Sequence, residues 1–298
     1  MSLAAFLLCA GYGERLRPLT DRIAKPAIPF LGRSALERNQ LSVSPLNPER
    51  WLMNTHHLPE QMDLLARQLG LEVLHEPEIL GTGGCIANAA SVLEDYDHFV
   101  VHNADLVHSF DLKSLWESHF ASGALATLIA VHHPRHNTLS VATGGVLLGV
   151  HGYRGYAPPT ESSESARLTF AGVAFYQKEF LNFLEPGCED VKRYWTRALE
   201  AGARIQVMDC SSAAWHDFGT PQGLWEASRF VMETAGEFNY RYPAANGLHA
   251  YVSNEAGEEG LPIDLKNVLL YEKPGTPVAQ GTRNCILGKD FQWDISAG

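Results

Sequence analysis

The run Leu3–Ala10 is apolar without interruption and gives way at once to a glycine-rich, basic stretch from Gly11 to Gly32. A short apolar run of this kind needs cover on both faces, which is the condition of a strand inside a sheet that carries helices on each side. A secretory signal would need a basic leader in front of the run, and a membrane span would need about twice the length. The junction therefore reads as the first buried strand of an α/β domain meeting a loop.

The chain keeps that pattern. Ser34–Leu41 reads as a helix, with Ser34 at the N-cap and Glu37 three residues on. Trp51–Thr55 reads as strand, Leu58–Leu69 as helix with Gly70 just past its end, and Leu71–His75 as strand. Thr82–Leu93 follows as helix, His98–His102 as strand, Leu112–Ala121 as helix and Leu125–His132 as strand. Alternation of this kind predicts an open, Rossmann-like mixed sheet flanked by helices. Val141–Val150, Leu168–Tyr176 and Arg204–Asp209 are further strands, Ala157–Ala166 an exposed loop, and Pro221–Ala235 a closing helix. From about Glu237 the helical period is lost and glycines multiply, with short apolar clusters at Asn267–Tyr271, Pro277–Thr282 and Asn284–Gly288. The expected division is a main domain over 1–236 and a small C-terminal β segment over 237–298.

Composition narrows the partners. With 298 residues, 45% of them hydrophobic, the chain can bury a large core without disulfides or a structural metal. Its formal charge of −11 excludes the basic footprint of a nucleic-acid binder, and no stretch is long and apolar enough for a membrane partner. Cys9, Cys85, Cys188, Cys210 and Cys285 are scattered and show no C-x-x-C, which fits a reducing, cytoplasmic setting. Yet the first 38 residues hold Arg15, Arg17, Arg22, Lys25, Arg33 and Arg38 against only Glu14, Asp21 and Glu37. A local cationic excess in an acidic chain suits a small polyanionic substrate.

Within that excess lies the string Gly11-Tyr-Gly-Glu-Arg15-Leu-Arg17-Pro-Leu-Thr20, continuing to Lys25-Pro26. Glycines after a strand let backbone N–H groups approach a triphosphate. Arg15 can grip phosphate oxygens as a fork, and Lys25 acts as a point charge. A dinucleotide fingerprint would need glycine where Leu16 stands, and a Walker A loop would need an absent Gly-Lys-Ser/Thr ending. Asp105 lies just beyond a strand end, where ligands of open α/β sheets bind, although a turn residue or N-cap is the commoner use of such an aspartate; Asp217 has the same two readings. The pairs His56/His57 and His132/His133 are adjacent residues that cannot face one ligand together, so they read as ordinary histidines.

The Gly11–Pro26 string resembles the signature of the sugar-1-phosphate nucleotidyltransferases. Leu80-Gly-Thr-Gly-Gly84, His102-Asn-Ala-Asp105 and Trp215-His-Asp217-Phe-Gly-Thr-Pro221 follow in the order that family shows, over about residues 4–235. The chain is especially similar to the mannose-1-phosphate guanylyltransferases and the N-acetylmuramate α-1-phosphate uridylyltransferases. The resemblance implies transfer of a nucleoside monophosphate from UTP or GTP to a sugar 1-phosphate, with release of pyrophosphate. It also implies that Arg15 and Lys25 are catalytic, and that Asp105 and Asp217 hold Mg²⁺. Ala10, Gly11, Gly13, Gly81, Gly83 and Gly84 would meet the nucleotide, and Asn103 and Gly172 the sugar. Gly172, in Leu168-Thr-Phe-Ala-Gly172, serves equally as a packing glycine of a core strand.

Many relatives carry a Glu-Lys-Pro lysine ahead of that strand; here none stands between Val131 and Leu168, and Lys192 is the substitute candidate. Pro277–Gly288 is similar to the hexapeptide β-helix of some members, so the segment reads as a short left-handed remnant whose open ends would pair copies of the chain. Two other readings are a non-catalytic nucleotide-sugar sensor and a phosphocholine cytidylyltransferase. Arg15, Lys25, Asp105 and Asp217, all present, weigh against the first. Leu168–Gly172 and Trp215–Pro221 weigh against the second.

Overall fold

The computed structural model describes residues 2–30, 33–134, 136–153, 164–234, 250–252, 266–271, 276–279 and 282–295. The elements in chain order begin β1 (Leu3–Leu8), β2 (Pro29–Phe30), β3 (Arg33–Ser34), α1 (Ala35–Val43), β4 (Arg50–Thr55), α2 (Pro59–Leu69) and β5 (Glu72–His75). They continue α3 (Gly81–Asn88), α4 (Ala90–Leu93), β6 (His98–Asn103), β7 (Leu106–His108), α5 (Leu112–Ser122), β8 (Ala126–Val131), β9 (Leu139–Ala142) and β10 (Leu147–Val150). Next come β11 (Glu164–Gln177), α6 (Val191–Glu200), β12 (Ile205–Asp209), β13 (Trp215–Asp217) and α7 (Pro221–Thr234). The last strands are β14 (Ala250–Val252), β15 (Lys266–Leu270), β16 (Arg283–Leu287) and β17 (Gln292–Asp294).

Contacts group the chain into two units that interleave in sequence. One comprises Met1–Gly11, Asn39–Ala104 and His108–Trp215; the other comprises Tyr12–Arg38, Asp105–Val107 and His216–Gly298. The boundary expected at 236 and 237 lies outside the described residues.

The first unit is built on a nine-stranded sheet of order β10-β9-β11-β6-β1-β4-β5, with β8 also beside β11 and β12 beside β8. Strands β6, β1, β4 and β5 run parallel, β12 runs parallel to β8, and β11 is antiparallel to β6, β8 and β9. The sheet is therefore mixed, as expected. Alternation assigns its faces. Ala4, Phe6, Phe99, Val101, Leu128 and Ala174 join the core with Ile86 of α3 and Val191, Tyr194, Trp195 and Ala198 of α6. The opposite parity carries Thr127 and Phe175, which meet His119 and Trp116 of α5. Helices on both faces explain why Leu3–Leu7 is buried throughout; each large apolar side chain so covered contributes about 1.5–3 kcal/mol.

The local signals act as expected. Glu37 N–H donates to Ser34 Oγ at 3.1 Å, and Gly70 closes α2 at φ 70°. Four expectations need correction. The loop expected over Ala157–Ala166 lies outside the described residues as far as 163, and Glu164–Ala166 already belong to β11, paired with β9. Val141–Val150 is not one strand but the hairpin β9–β10, because Gly144 and Gly145 take φ of 83° and 79° and turn the chain. Thr82–Leu93 is two helices, α3 and α4, that meet at Ala89. Between Leu168–Tyr176 and Arg204–Asp209 lies α6, whose Asp190 caps it by accepting from Lys192 N–H at 2.9 Å.

The second unit has its own core. Leu16, Leu19, Ile23, Ile28 and Phe30 of the basic stretch pack with Phe218 and with Leu224, Trp225 and Val231 of α7. Leu269, Tyr271, Ile286 and Ile295 of the C-terminal segment complete it. The signature stretch is thus an anchored structure of short 3₁₀ turns rather than a solvated loop. In the C-terminal segment β14, β15 and β16 are parallel, with Ala250 opposite Val268 and Val268 opposite Cys285, steps of 18 and 17 residues. Strand β17 returns antiparallel against β16.

Candidate active site

The second unit gathers the charged candidates. The signature turns on Gly13, which takes φ 66°; its carbonyl accepts from Thr20 Oγ1 at 2.9 Å and from Leu16 N–H at 2.8 Å. A side chain there would meet Thr20 Cγ2 at 2.9 Å, so the turn needs glycine twice over. The chain then leads to Lys25, which is only 8% exposed. Its Nζ donates to Asp105 Oδ2 at 2.5 Å and lies 5.4 Å from the centre of the Phe218 ring. A buried ammonium of this kind needs a fixed counter-charge, and Asp105 supplies it.

Asp105 and Asp217 come from adjacent chain segments, because Phe218 N–H donates to the Asp105 carbonyl at 3.3 Å and β7 pairs with β13. Asp217 Oδ1 accepts from Gly219 N–H at 2.7 Å. The Arg15 guanidinium lies against the bare Cα of Gly219, where any side chain would overlap Nη2 and come within 2.9 Å of Asp217 Oδ1. Arg15, Lys25, Asp105 and Asp217 are therefore brought together, and Gly219 is a site residue that sequence reasoning passed over. The signal was its place inside Asp217-Phe-Gly-Thr-Pro221.

No group of three or more His, Cys, Asp or Glu side chains among the described residues could hold a metal ion. A site made of Asp105 and Asp217 would thus offer two carboxylates. Among the described residues Asp105 Oδ1 and Asp217 Oδ2 have no hydrogen-bond partner. Two hard oxygen donors, with waters and substrate phosphates completing the shell, suit Mg²⁺.

The first unit holds the remaining candidates. Ala10 is buried, and Gly11 has open space where a side chain would project. The end of β1 is tied down by a buried relay. Cys9 N–H donates to Asn54 Oδ1 at 2.6 Å, Asn54 Nδ2 donates to Glu76 Oε1 at 2.7 Å, and Leu80 N–H donates to Glu76 Oε2 at 3.1 Å. Sequence reasoning did not single out Asn54 or Glu76, whose identities are unremarkable until the fold joins them.

Gly81, Gly83 and Gly84 open α3, and their bare Cα atoms face the segment that leads into α6. A side chain on Gly81 would meet the Glu189 carbonyl oxygen at 2.7 Å, one on Gly83 would meet Tyr194 at 2.6 Å, and one on Gly84 would overlap the Gly187 carbonyl. Gly83 and Gly84 N–H both donate to Glu189 O, at 2.8 and 3.1 Å, and Val191 N–H donates to Thr82 Oγ1 at 3.1 Å. These glycines permit close packing of two backbones. Lys192 follows directly, its Nζ 3.0 Å from Asp190 Oδ2. Asn103 ends β6, and its carbonyl accepts from His102 Nδ1. Gly172 takes φ 82° within the register shift of β11 against β8, and the preceding Ala171 carbonyl accepts from Trp215 Nε1 at 2.9 Å.

The mixed α/β sheet is that of the nucleotidyltransferase type of fold. The nucleotidyl transferase family model matches residues 4–145. The chain is 30% identical over 234 residues to the mannose-1-phosphate guanylyltransferase of Mycobacterium tuberculosis, covering 75% of this chain and 63% of that protein. It is 25% identical over 233 residues to the bifunctional protein GlmU of Methanocaldococcus jannaschii, covering 77% and 54%. Among solved structures, UTP-bound UGPase from Acinetobacter baumannii superposes with a TM-score of 0.65 at 19% identity, over 80% of this chain and 96% of that one. HddC from Yersinia pseudotuberculosis gives 0.61 at 17%, over 76% and 98%.

The chain carries a nucleotidyl transferase domain over residues 4–145, and its homologues are sugar-1-phosphate nucleotidyltransferases. It spans between about half and two thirds of the length of the curated relatives it matches. No helix among the described residues is long and apolar enough to cross a membrane.

Proposed function

We propose that the protein transfers a nucleoside monophosphate from a nucleoside triphosphate to a sugar 1-phosphate, making a nucleotide-sugar and pyrophosphate. The observation that carries this reading is the charged cluster of the second unit: Lys25 fixed on Asp105, and Arg15 lying on Gly219 beside Asp217. An oxygen of the sugar phosphate forms a bond to the α-phosphorus as the bond to pyrophosphate breaks. That oxygen belongs to a group with its second ionisation near pH 6, so it is already largely dianionic and needs no general base.

The task left to the protein is to hold two polyanions together and in line. Lys25 meets charge at the α-phosphate, and Arg15 meets charge growing on the departing pyrophosphate, the electrostatic and positional contributions that dominate such transfers. Asp105 and Asp217 would hold Mg²⁺, which screens repulsion between the phosphates when bound. The resemblance assigns Ala10, Gly11, Gly13 and the Gly81–Gly84 turn to the nucleotide, and Asn103, Gly172 and Lys192 to the sugar phosphate.

The acceptor class is an amino-sugar or related 1-phosphate with UTP, given the missing Glu-Lys-Pro lysine. The guanylyltransferase named among the relatives supports mannose 1-phosphate with GTP as the second reading. Crossing the four nucleoside triphosphates with a set of sugar 1-phosphates, and following pyrophosphate release, tests the proposal. One pair should turn over well above the rest, and that pair names the base and the sugar. No release with any pair, from folded protein and Mg²⁺, refutes it.

A further inference from the structure

His102 lies fully buried on β6 and His108 ends β7, so the two rings stand on either side of the short turn that carries Asp105. Their nitrogens meet, His102 Nε2 to His108 Nε2, at 2.9 Å. The other nitrogen of each ring decides where the protons are. His102 Nδ1 lies 2.8 Å from the Asn103 carbonyl oxygen, which only accepts, so Nδ1 carries a hydrogen. Phe110 N–H donates to His108 Nδ1 at 3.1 Å, so that nitrogen is bare and His108 carries its hydrogen on Nε2.

One arrangement satisfies all three bonds: Phe110 N–H to His108 Nδ1, His108 Nε2–H to His102 Nε2, and His102 Nδ1–H to the Asn103 carbonyl. Both rings are neutral, and each is fixed in one tautomer. A proton added to His102 Nε2 or to His108 Nδ1 would set a donor against a donor. Burial and the neighbouring His102 ring hold the His108 imidazole well below its usual range, in keeping with a neutral pair. The His108 ring also stacks on Phe110, centroids 4.4 Å apart, so it cannot swing out without losing that contact. The two ends of the segment 102–110 are thereby joined by side chains as well as by the β6–β7 connection.

We propose that His102 and His108 form a tautomer-locked clasp that positions the Asp105 carboxylate. Neither histidine touches substrate; both act through the turn. The functional part of this inference rests on the reading of Asp105 as an Mg²⁺-holding residue. Fixing a ligand's backbone in this way is the kind of outer support whose loss typically weakens metal binding by about 10–100-fold.

The test compares His108→Phe with His108→Gln in the full chain. Phenylalanine keeps the ring stack and removes the bond to His102; the glutamine amide can restore an N–H to His102 Nε2. Hydrogen exchange of the 103–108 amides should be faster by about tenfold in His108→Phe and near wild type in His108→Gln. The Mg²⁺ concentration for half activation should rise by about tenfold in His108→Phe, with the KM for the nucleotide little changed, and recover in His108→Gln. Nitrogen-15 spectra of the wild-type histidines should show hydrogen on His102 Nδ1 and His108 Nε2, both rings neutral at pH 7.5. A charged ring, the opposite tautomers, or unchanged exchange in His108→Phe overturns the clasp. Faster exchange with unchanged Mg²⁺ activation overturns its role in positioning Asp105. If Asp105→Asn also leaves Mg²⁺ activation unaltered, the reading of Asp105 fails instead, while exchange and tautomers still judge the clasp.

Discussion

Gly84→Ala opposes two physical effects of opposite sign on one residue. In an exposed helix the change would stabilise by up to about 1 kcal/mol, because glycine loses more backbone entropy than alanine. In α3 the added methyl would overlap the Gly187 carbonyl oxygen, with the Gly187 carbon at 3.2 Å and Leu80 Cβ at 3.1 Å close behind. The obstacle is backbone, so relief requires the 187–190 segment to move away as a body. That movement stretches the bonds from Gly83 and Gly84 N–H to Glu189 O and from Val191 N–H to Thr82 Oγ1. Two to three hydrogen bonds at about 1 kcal/mol each, with overpacking strain of about 1–3 kcal/mol, outweigh the propensity gain. The net expectation is a loss of about 2–5 kcal/mol, or about 5–15 °C in Tm for a domain of this size. Thermal unfolding followed by circular dichroism measures it, and a rise in Tm would refute the reasoning. The KM for the nucleotide should rise as well, since the turn assigned to it opens α3.

Three further changes probe separate parts of the account. Arg15→Ala should lower turnover by about a hundredfold, near 3 kcal/mol of transition-state stabilisation, while leaving Tm close to wild type, as judged by pyrophosphate release beside thermal unfolding. Lys192→Ala should raise the KM for the sugar phosphate more than the KM for the nucleotide, because Lys192 would meet only the acceptor; an equal effect on both, or none, assigns it to holding Asp190 alone. His119 is fully buried against Thr127 and His98, and burial lowers its pKa from 6.5 to about 3. Between those values the unfolded chain binds the proton and the folded chain does not, so stability falls as pH drops below 6.5, by on the order of 2 kcal/mol at pH 5. His119→Gln should flatten that acid limb in urea titrations at pH 5 and 7, and an unchanged slope would contradict the assignment.

Much of the first unit was legible because its elements announce themselves locally. The unbroken apolar run at Leu3 and the Gly70 stop each act within a few residues, as does the Ser34 cap in the second unit. The hairpin at Gly144-Gly145 carried a turn signal that the surrounding apolar residues hid. Helix α6 was missed although its signals are local, an Asp190 cap and buried residues at Val191, Tyr194, Trp195 and Ala198 at helical spacing. Strands β7 and β13 are three residues each, too short to show a period. Clustering of Arg15, Lys25, Asp105 and Asp217 was expected from ordered motifs. What faces Gly81–Gly84 was not, because Gly187–Asp190 lies about a hundred residues downstream and nothing local marks the approach. The C-terminal repeat was obscured for a related reason: its period of 17 or 18 residues shows in strand register, whereas the six-residue spacing is imperfect.

The central claim is a bond formed between the sugar phosphate and the α-phosphorus of the nucleotide. Isotope tracing observes that bond directly, using the protein with Mg²⁺ and the pair picked out by the substrate screen. Phosphorus-32 in the sugar 1-phosphate should pass entirely into the nucleotide-sugar, and the same label at the γ-position of the triphosphate should appear entirely in pyrophosphate, in equal molar amounts. Release of the sugar-phosphate label as orthophosphate, or pyrophosphate formed without consumption of the sugar 1-phosphate, would contradict the account.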